Sequence, residues 1–192
     1  MSLTITEQAS LRNLTKRWKP LSGVYFRSVE RRFMDPSQVL NGRGTELYGG
    51  RFAPVGTKGV YLADSDVGAS AEVLARKSRL GNASQISLDK YPRVVFALDV
   101  ELDRVVSLVR RPRNPELASI REKSLENDLR YSQSVGQFLA NAGIQGLLFK
   151  STVAAGSNLL IFLDNCIPGQ LKIRRLDEMM DTLSRIVTTY KA

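Results

Sequence analysis

The segment between residues 41 and 59 constrains this chain more than any other. It sets Gly42, Gly44, Gly49, Gly50, Gly56 and Gly59 between two short apolar runs, Val24-Tyr25-Phe26-Arg27 and Val60-Tyr61-Leu62-Ala63. Glycine reaches positive φ without steric cost and lets a backbone approach a ligand or another segment closely. The spacing is too uneven for one turn. The segment therefore reads as a structured loop, and the β-branched and aromatic runs on either side of it read as strands.

The rest of the chain alternates helix and strand signals. Residues 1–22 are polar and read as a short helix and lead-in. Asp64 or Ser65 can cap a helix running to about Lys77. Leu80 to Tyr91 is a polar connection, and Arg93 to Val100 a strand. Asn114 followed by Pro115 opens a helix, because proline suits the first helical position. That helix runs, with a break, to Gly143, a natural C-terminal cap. Gly146 to Lys150 and Asn158 to Leu163 read as paired strands, Leu171 to Leu176 as another, and Asp177 to Tyr190 as a closing helix. With no repeat and no low-complexity linker, the pattern predicts one α+β domain.

The chain has no histidine and one cysteine, Cys166. Ser-His-Asp and Cys-His catalysis and the common zinc sites are therefore out, and no metal site is expected. Acid–base work falls to carboxylates, tyrosine, lysine or water. A single cysteine staples nothing, so a reducing cytoplasm is the expected setting, with Cys166 as a small core residue. No apolar run approaches the roughly 18 residues of a membrane span, and the N-terminus lacks signal-peptide character. A net charge of +9 favours an anionic partner: nucleic acid, a phosphorylated small molecule or an acidic protein. Equally, the charges can be spread over a solvated face.

Five polar residues sit beside these elements: Arg27 in the first strand, Arg51 in the glycine-rich stretch, Tyr61 in the next strand, Glu72 in the following helix and Ser151 after the strand Gly146 to Lys150. Each alone has an ordinary structural reading. Their order, however, resembles the RES domain, named for its arginine, glutamate and serine. The blocks that carry the resemblance are Phe26-Arg27, Gly44-Thr45-Glu46-Leu47-Tyr48-Gly49-Gly50-Arg51-Phe52, Gly59-Val60-Tyr61-Leu62-Ala63, Ala69-Ser70-Ala71-Glu72-Val73, and Leu147-Leu148-Phe149-Lys150-Ser151 with Asn158-Leu159-Leu160. The chain departs from the family pattern in three places. Phe52-Ala53 stands where the family has Trp-Asn, Lys150 stands where it has a proline, and Thr152 to Ser157 are extra, which makes Ser157 a second candidate for the family serine.

The resemblance implies a compact fold similar to the ADP-ribosyltransferase toxins, with a split central β-sheet and flanking helices, residues 1–22 forming a lead-in and 23–192 the domain with its C-terminal helix. It implies a cytoplasmic toxin that degrades NAD, its substrate rather than a resident cofactor, by hydrolysis or phosphorolysis. The usual partner is an antitoxin carrying a helix-turn-helix-like domain. Protein ADP-ribosylation is the alternative within the same chemistry. A nucleic-acid-binding module is the lesser alternative, since Arg110-Arg111-Pro112-Arg113 and Lys172-Ile173-Arg174-Arg175 belong to no recognisable binding motif. The implied site residues match the chemistry of NAD. Arg27 and Arg51 suit the pyrophosphate, Tyr61 the flat nicotinamide, Glu72 the positive charge that develops on ribose, and Ser151 a further hydrogen bond to the ligand.

Overall fold

The architecture was read from a computed structural model that describes residues 2–79 and 93–174. Helix α1 (Ile5–Thr15) is opened by a capping box in which Thr4 and Glu7 bond each other's backbone amides. Strand β1 (Lys19–Glu30) follows, then the short helices α2 (Pro36–Val39) and α3 (Arg43–Tyr48), strand β2 (Gly59–Ala63) and helix α4 (Asp66–Arg79). Strand β3 (Arg93–Leu108) leads to helices α5 (Pro115–Ser124) and α6 (Leu129–Asn141). Strands β4 (Gly146–Lys150), β5 (Ser157–Phe162) and β6 (Leu171–Ile173) complete the described chain. None of these helices is long and apolar enough to cross a membrane.

The predicted strands run longer in space than in sequence. β1 extends on both sides of Val24 to Arg27 because β3 pairs with it antiparallel from Lys19 to Glu30. β3 itself continues past Val100 because its far end finds a second partner, parallel β4. The glycine-rich stretch is not loop throughout. It contains α3, flanked by Gly42 and Gly49 at φ of 68° and 66°, where a side chain would be strained. The predicted helix between Asn114 and Gly143 breaks into α5 and α6, with Asn114 and Asp128 as the N-caps. The polar connection of Leu80 to Tyr91 and the closing helix of Asp177 to Tyr190 lie outside the described residues.

The strand order is β1-β2-β5-β4-β3-β6, and β1 also pairs with β3, so the sheet curls back on itself. Its weak point is the contact of β1 with β2, which share the single pair Phe26–Ala63. The expected split in the sheet lies there. One face of the curl packs Val29, Val60, Leu62, Phe96, Leu98, Leu159 and Ile161 together. The other carries Leu147, Phe149, Leu160 and Phe162 against Leu11 of α1, Ile120 of α5 and Leu139 of α6. The continuous run Leu159-Leu160-Ile161-Phe162 thus alternates between two buried faces. Residues 2–22 contribute α1 and the start of β1, and Leu11 of α1 belongs to this packing.

Two contacts fasten the helical layer. Glu7 is 2% exposed, yet its Oε1 accepts from the Tyr131 hydroxyl at 2.7 Å and from Lys123 Nζ at 3.0 Å, and its Oε2 from the Thr4 amide at 2.8 Å. Burial alone would raise its pKa, but these hydrogen bonds outweigh burial and hold it near 2. In the second contact, α6 presses its Gly136 onto the glycine-rich segment, so closely that a Cβ there would fall 1.6 Å from the Phe52 carbonyl oxygen.

Both contacts generate expectations. A depressed carboxylate pKa stabilises the fold above the unfolded value of about 4.5 and loses that contribution as pH falls towards 2. Glu7→Gln should therefore flatten the acid limb of a stability–pH curve followed by denaturant titration between these values. An unchanged limb would show that Glu7 is not the linked group. Gly136→Ala forces helix and segment apart and should lower stability by at least about 1–3 kcal/mol, read as a fall in the denaturation midpoint.

Candidate active site

Helix α4 starts directly after β2, with Ser65 Oγ accepting from the Gly68 amide at 3.0 Å. This places Glu72 at the end of the β4–β5 pair. Its Oε1 accepts from Ser151 Oγ at 2.7 Å and from Asn158 Nδ2 at 2.6 Å. Among the described residues Oε2 receives no hydrogen bond, and the residue is partly exposed. Ser151 and Asn158 are each 6% exposed, so both donors are held by packing.

Ser151 has no hydrogen-bonding capacity left. Its proton is directed at Glu72, and its oxygen accepts from the amides of Val153 at 3.2 Å and Ala154 at 3.0 Å. A hydroxyl offers one donor and two acceptor positions, and all are filled. The extra residues of the β4–β5 turn are pinned from the other side by Asp64. Its Oδ2 accepts from the amide and hydroxyl of Ser157 at 2.7 and 2.9 Å. Strand register survives, with Phe149 opposite Asn158 and Lys150 opposite Ser157. Of the two candidate serines, Ser151 touches Glu72 and Ser157 serves Asp64.

Arg27 lies on β1, on the same side as Tyr25 and Val29 by strand alternation. Its Nη1 donates to the Tyr61 carbonyl at 3.2 Å, across the gap where β1 and β2 diverge. Its Nε is buried with no hydrogen-bond partner among the described residues. Burial, with the neighbouring charge of Arg93 adding to it, pulls the Arg27 pKa down to about 10, so the group stays charged at neutral pH.

Tyr61 is fixed at three points. Its hydroxyl accepts from the Phe52 amide at 3.0 Å, and its ring meets Phe149 edge-on with centroids 6.4 Å apart. It also fills the space above Gly50, where a Cβ would lie 2.7 Å from the ring. Phe52 is buried against Phe149, and Ala53 is fully buried, so the two departures from the family pattern sit in the core. Arg51 turns towards the helical layer, where its Nη1 donates to the carbonyls of Ser124 at 3.2 Å and Glu126 at 2.7 Å.

The structure thus brings Glu72, Ser151 and Asn158 together at one end of the β2–β5 pair, and Arg27 and Tyr61 two residues away along β2. It directs the Arg51 guanidinium to the α5–α6 connection. Asn158 belongs to the family block, but its sequence context as the first residue of an apolar run gives no hint that it holds a carboxylate. A concavity of about 300 Å³ lined by Lys58, Gln137, Asn141, Phe162, Asp164 and Asn165 lies at the opposite end of the same strand pair and touches none of these groups. Among the described residues no three carboxylate or thiol side chains converge as a metal site would need.

Comparison with known proteins bears on the family and the fold. Residues 20–180 match the family model described as the RES domain. No curated protein sequence matches the chain. Among solved structures, the chain is similar to one chain of the structure titled as the crystal structure of the M. tuberculosis MbcT–MbcA toxin–antitoxin complex. The TM-score is 0.74 at 23% identity, covering 91% of this chain and 92% of that one.

The two serines should separate experimentally without any assay of activity. Ser151→Ala leaves two amides and a carboxylate oxygen short of a partner and should lower stability by about 1–3 kcal/mol. Ser157→Ala removes one exposed hydrogen bond and should cost under about 1 kcal/mol, less than a typical buried one. Equal shifts in melting temperature would contradict the assignment.

Proposed function

This chain belongs to the RES-domain family, and from that premise we propose that it is a toxin that cleaves the nicotinamide–ribose bond of NAD and is held in check by an antitoxin. The likeness to a chain of a toxin–antitoxin complex over nearly its whole length supports the second part. The observation that carries the first part is Glu72, whose Oε1 is fastened by two donors while Oε2 receives no hydrogen bond among the described residues.

In NAD the nicotinamide ring carries the positive charge. As the bond from its nitrogen to ribose C1′ breaks, the electron pair stays with the ring and the charge moves to the ribose. A fixed carboxylate lowers the energy of that state more than that of the ground state, which is what accelerates the step. Water then adds to C1′ and releases a proton, giving ADP-ribose and neutral nicotinamide. Phosphate adding in its place gives the phosphorylated product.

The residues divide by role. Glu72 stabilises the ribosyl cation. Ser151 and Asn158 are positioning residues that aim it, since the Ser151 hydroxyl is saturated within the protein. Arg27 binds the pyrophosphate, and Tyr61, locked in place and partly exposed, gives the nicotinamide a flat contact. Arg51 clamps the glycine-rich segment to the α5–α6 connection and so holds the wall on which Tyr61 rests.

The deciding experiment incubates purified protein with NAD and resolves the products. Nicotinamide with ADP-ribose or its phosphate supports the proposal, and intact NAD overturns it. In Glu72→Gln the amide oxygen can still accept from Ser151 and Asn158, so the fold should persist while kcat falls by about a hundredfold or more. Arg27→Ala should mainly raise KM, because its contact exists already in the ground state. A folded Glu72→Gln variant with the parent kcat would make Glu72 a structural residue.

A further inference from the structure

Asp64 follows β2 at the point where the chain turns into α4, and the last rung of the β2–β5 ladder depends on its side chain. Antiparallel residues facing each other as a hydrogen-bonded pair exchange two main-chain bonds. Here the Asp64 amide donates to the Ser157 carbonyl at 3.1 Å, as a strand residue would. The Ser157 amide donates to the Asp64 carboxylate instead: Oδ2 accepts from it at 2.7 Å and from the Ser157 hydroxyl at 2.9 Å. The main chain has by then left the strand, and Asp66 opens the helix. The carboxylate thus carries the ladder one rung beyond Ala63–Asn158, the last register pair of the two strands.

That rung ties together the two elements that set Glu72. On one side is α4, where Glu72 lies about two turns into the helix. On the other is β5, where Asn158 follows Ser157 and donates to Glu72 Oε1 at 2.6 Å. The clamp also reaches Ser151, the second donor to Glu72, because the Ser151 amide donates across the base of the turn to the Gly156 carbonyl at 3.2 Å. Only glycine suits position 156: its φ is 112°, and a Cβ there would fall 2.5 Å from Asp64 Oδ1. Water can satisfy the Ser157 amide once the carboxylate is removed, but it cannot hold helix and strand at a fixed spacing.

We infer that Asp64 is a positioning residue for Glu72, acting through Ser157 and Asn158. Its effect on turnover rests on the reading of Glu72 above, whereas the mechanical link does not. Asp64 touches no substrate in this role. It fixes where the Glu72 carboxylate lies relative to the reacting ribose carbon, and a displacement of about 1 Å costs on the order of a hundredfold in rate. Its contribution is therefore to kcat, and it vanishes once Glu72 has lost its charge.

The test measures kcat and KM for NAD in the parent, Asp64→Ala and Asp64→Asn, each also in the Glu72→Gln background. The side-chain amide resonance of Asn158, assigned from its absence in Asn158→Ala, is followed by NMR in nitrogen-labelled protein. Asp64→Ala should lower kcat about tenfold or more with KM little changed. Asp64→Asn keeps an oxygen able to accept from both Ser157 donors and should stay within about twofold of the parent. In the Glu72→Gln background Asp64→Ala should cost nothing further, because residues acting as one unit are not additive. A merely structural residue would cost the same in both backgrounds. The Asn158 resonance should shift in Asp64→Ala and hold in Asp64→Asn. Additive losses, a parent-like kcat or an unmoved resonance in folded Asp64→Ala each overturn the inference. A loss in Asp64→Asn equal to that in Asp64→Ala assigns the effect to charge and overturns it too. If Asp64→Ala fails to fold, Asp64→Ser, whose hydroxyl is one bond shorter than the carboxylate, carries the test on the same terms. If the parent leaves NAD intact, the functional proposal fails. The resonance then decides this inference alone: a shift in Asp64→Ala supports it, and an unchanged resonance overturns it.

Discussion

The hydrogen bond from Arg27 to the Tyr61 carbonyl crosses the one place where the curled sheet nearly comes apart. Elsewhere neighbouring strands share three or more register pairs, but β1 and β2 share one. Backbone groups left at such a gap need partners, because a buried carbonyl without one costs as much as a lost hydrogen bond. Arg27 supplies one such partner from within the sheet. Doing so draws a guanidinium into surroundings rich in Phe96, Leu98 and Leu62, where water screens it poorly. The group that bridges the gap is thereby also a cation held largely away from water.

Two glutamates of this chain show how similar surroundings yield different consequences. Glu7 has both carboxylate oxygens committed, to Tyr131, Lys123 and Thr4. It ties α1 to α5 and α6 and has nothing left to offer a substrate. Among the described residues Glu72 has donors on one oxygen only. Those donors cannot leave it easily, because Ser151 is also occupied with two turn amides and Asn158 is fixed in a central strand. A carboxylate held by rigid donors has a fixed aim, which is what the proposed electrostatic stabilisation of a transient cation requires.

The glycine-rich segment works through contact distances rather than flexibility. Gly50 admits the Tyr61 ring and Gly136 of α6 admits the Phe52 backbone. Gln133 of α6 adds a hydrogen bond to the Gly50 carbonyl at 3.0 Å. Segment 50–53 is thus pressed between α6 and β2. It converts the packing of the helical layer into a fixed position for Tyr61.

Much of this was legible in the residues themselves. Apolar alternation and capping residues are local signals, so β2, β4, β5, the start of α4 and the Asn114–Pro115 helix entry follow from the sequence alone, as do the candidates Arg27, Tyr61, Glu72 and Ser151. The absence of histidine excluded whole classes of chemistry before any fold was known. What only the tertiary structure decided depends on segments distant in the chain. The full length of β3 needs β4 as a partner. The hold of Asn158 on Glu72 links residues 86 positions apart, and the turn of Arg51 towards Ser124 and Glu126 links residues 73 and 75 apart. Sequence periodicity reports which side of its own element a residue faces; which other element waits on that side is set by how the sheet curls, and that is a property of the whole chain.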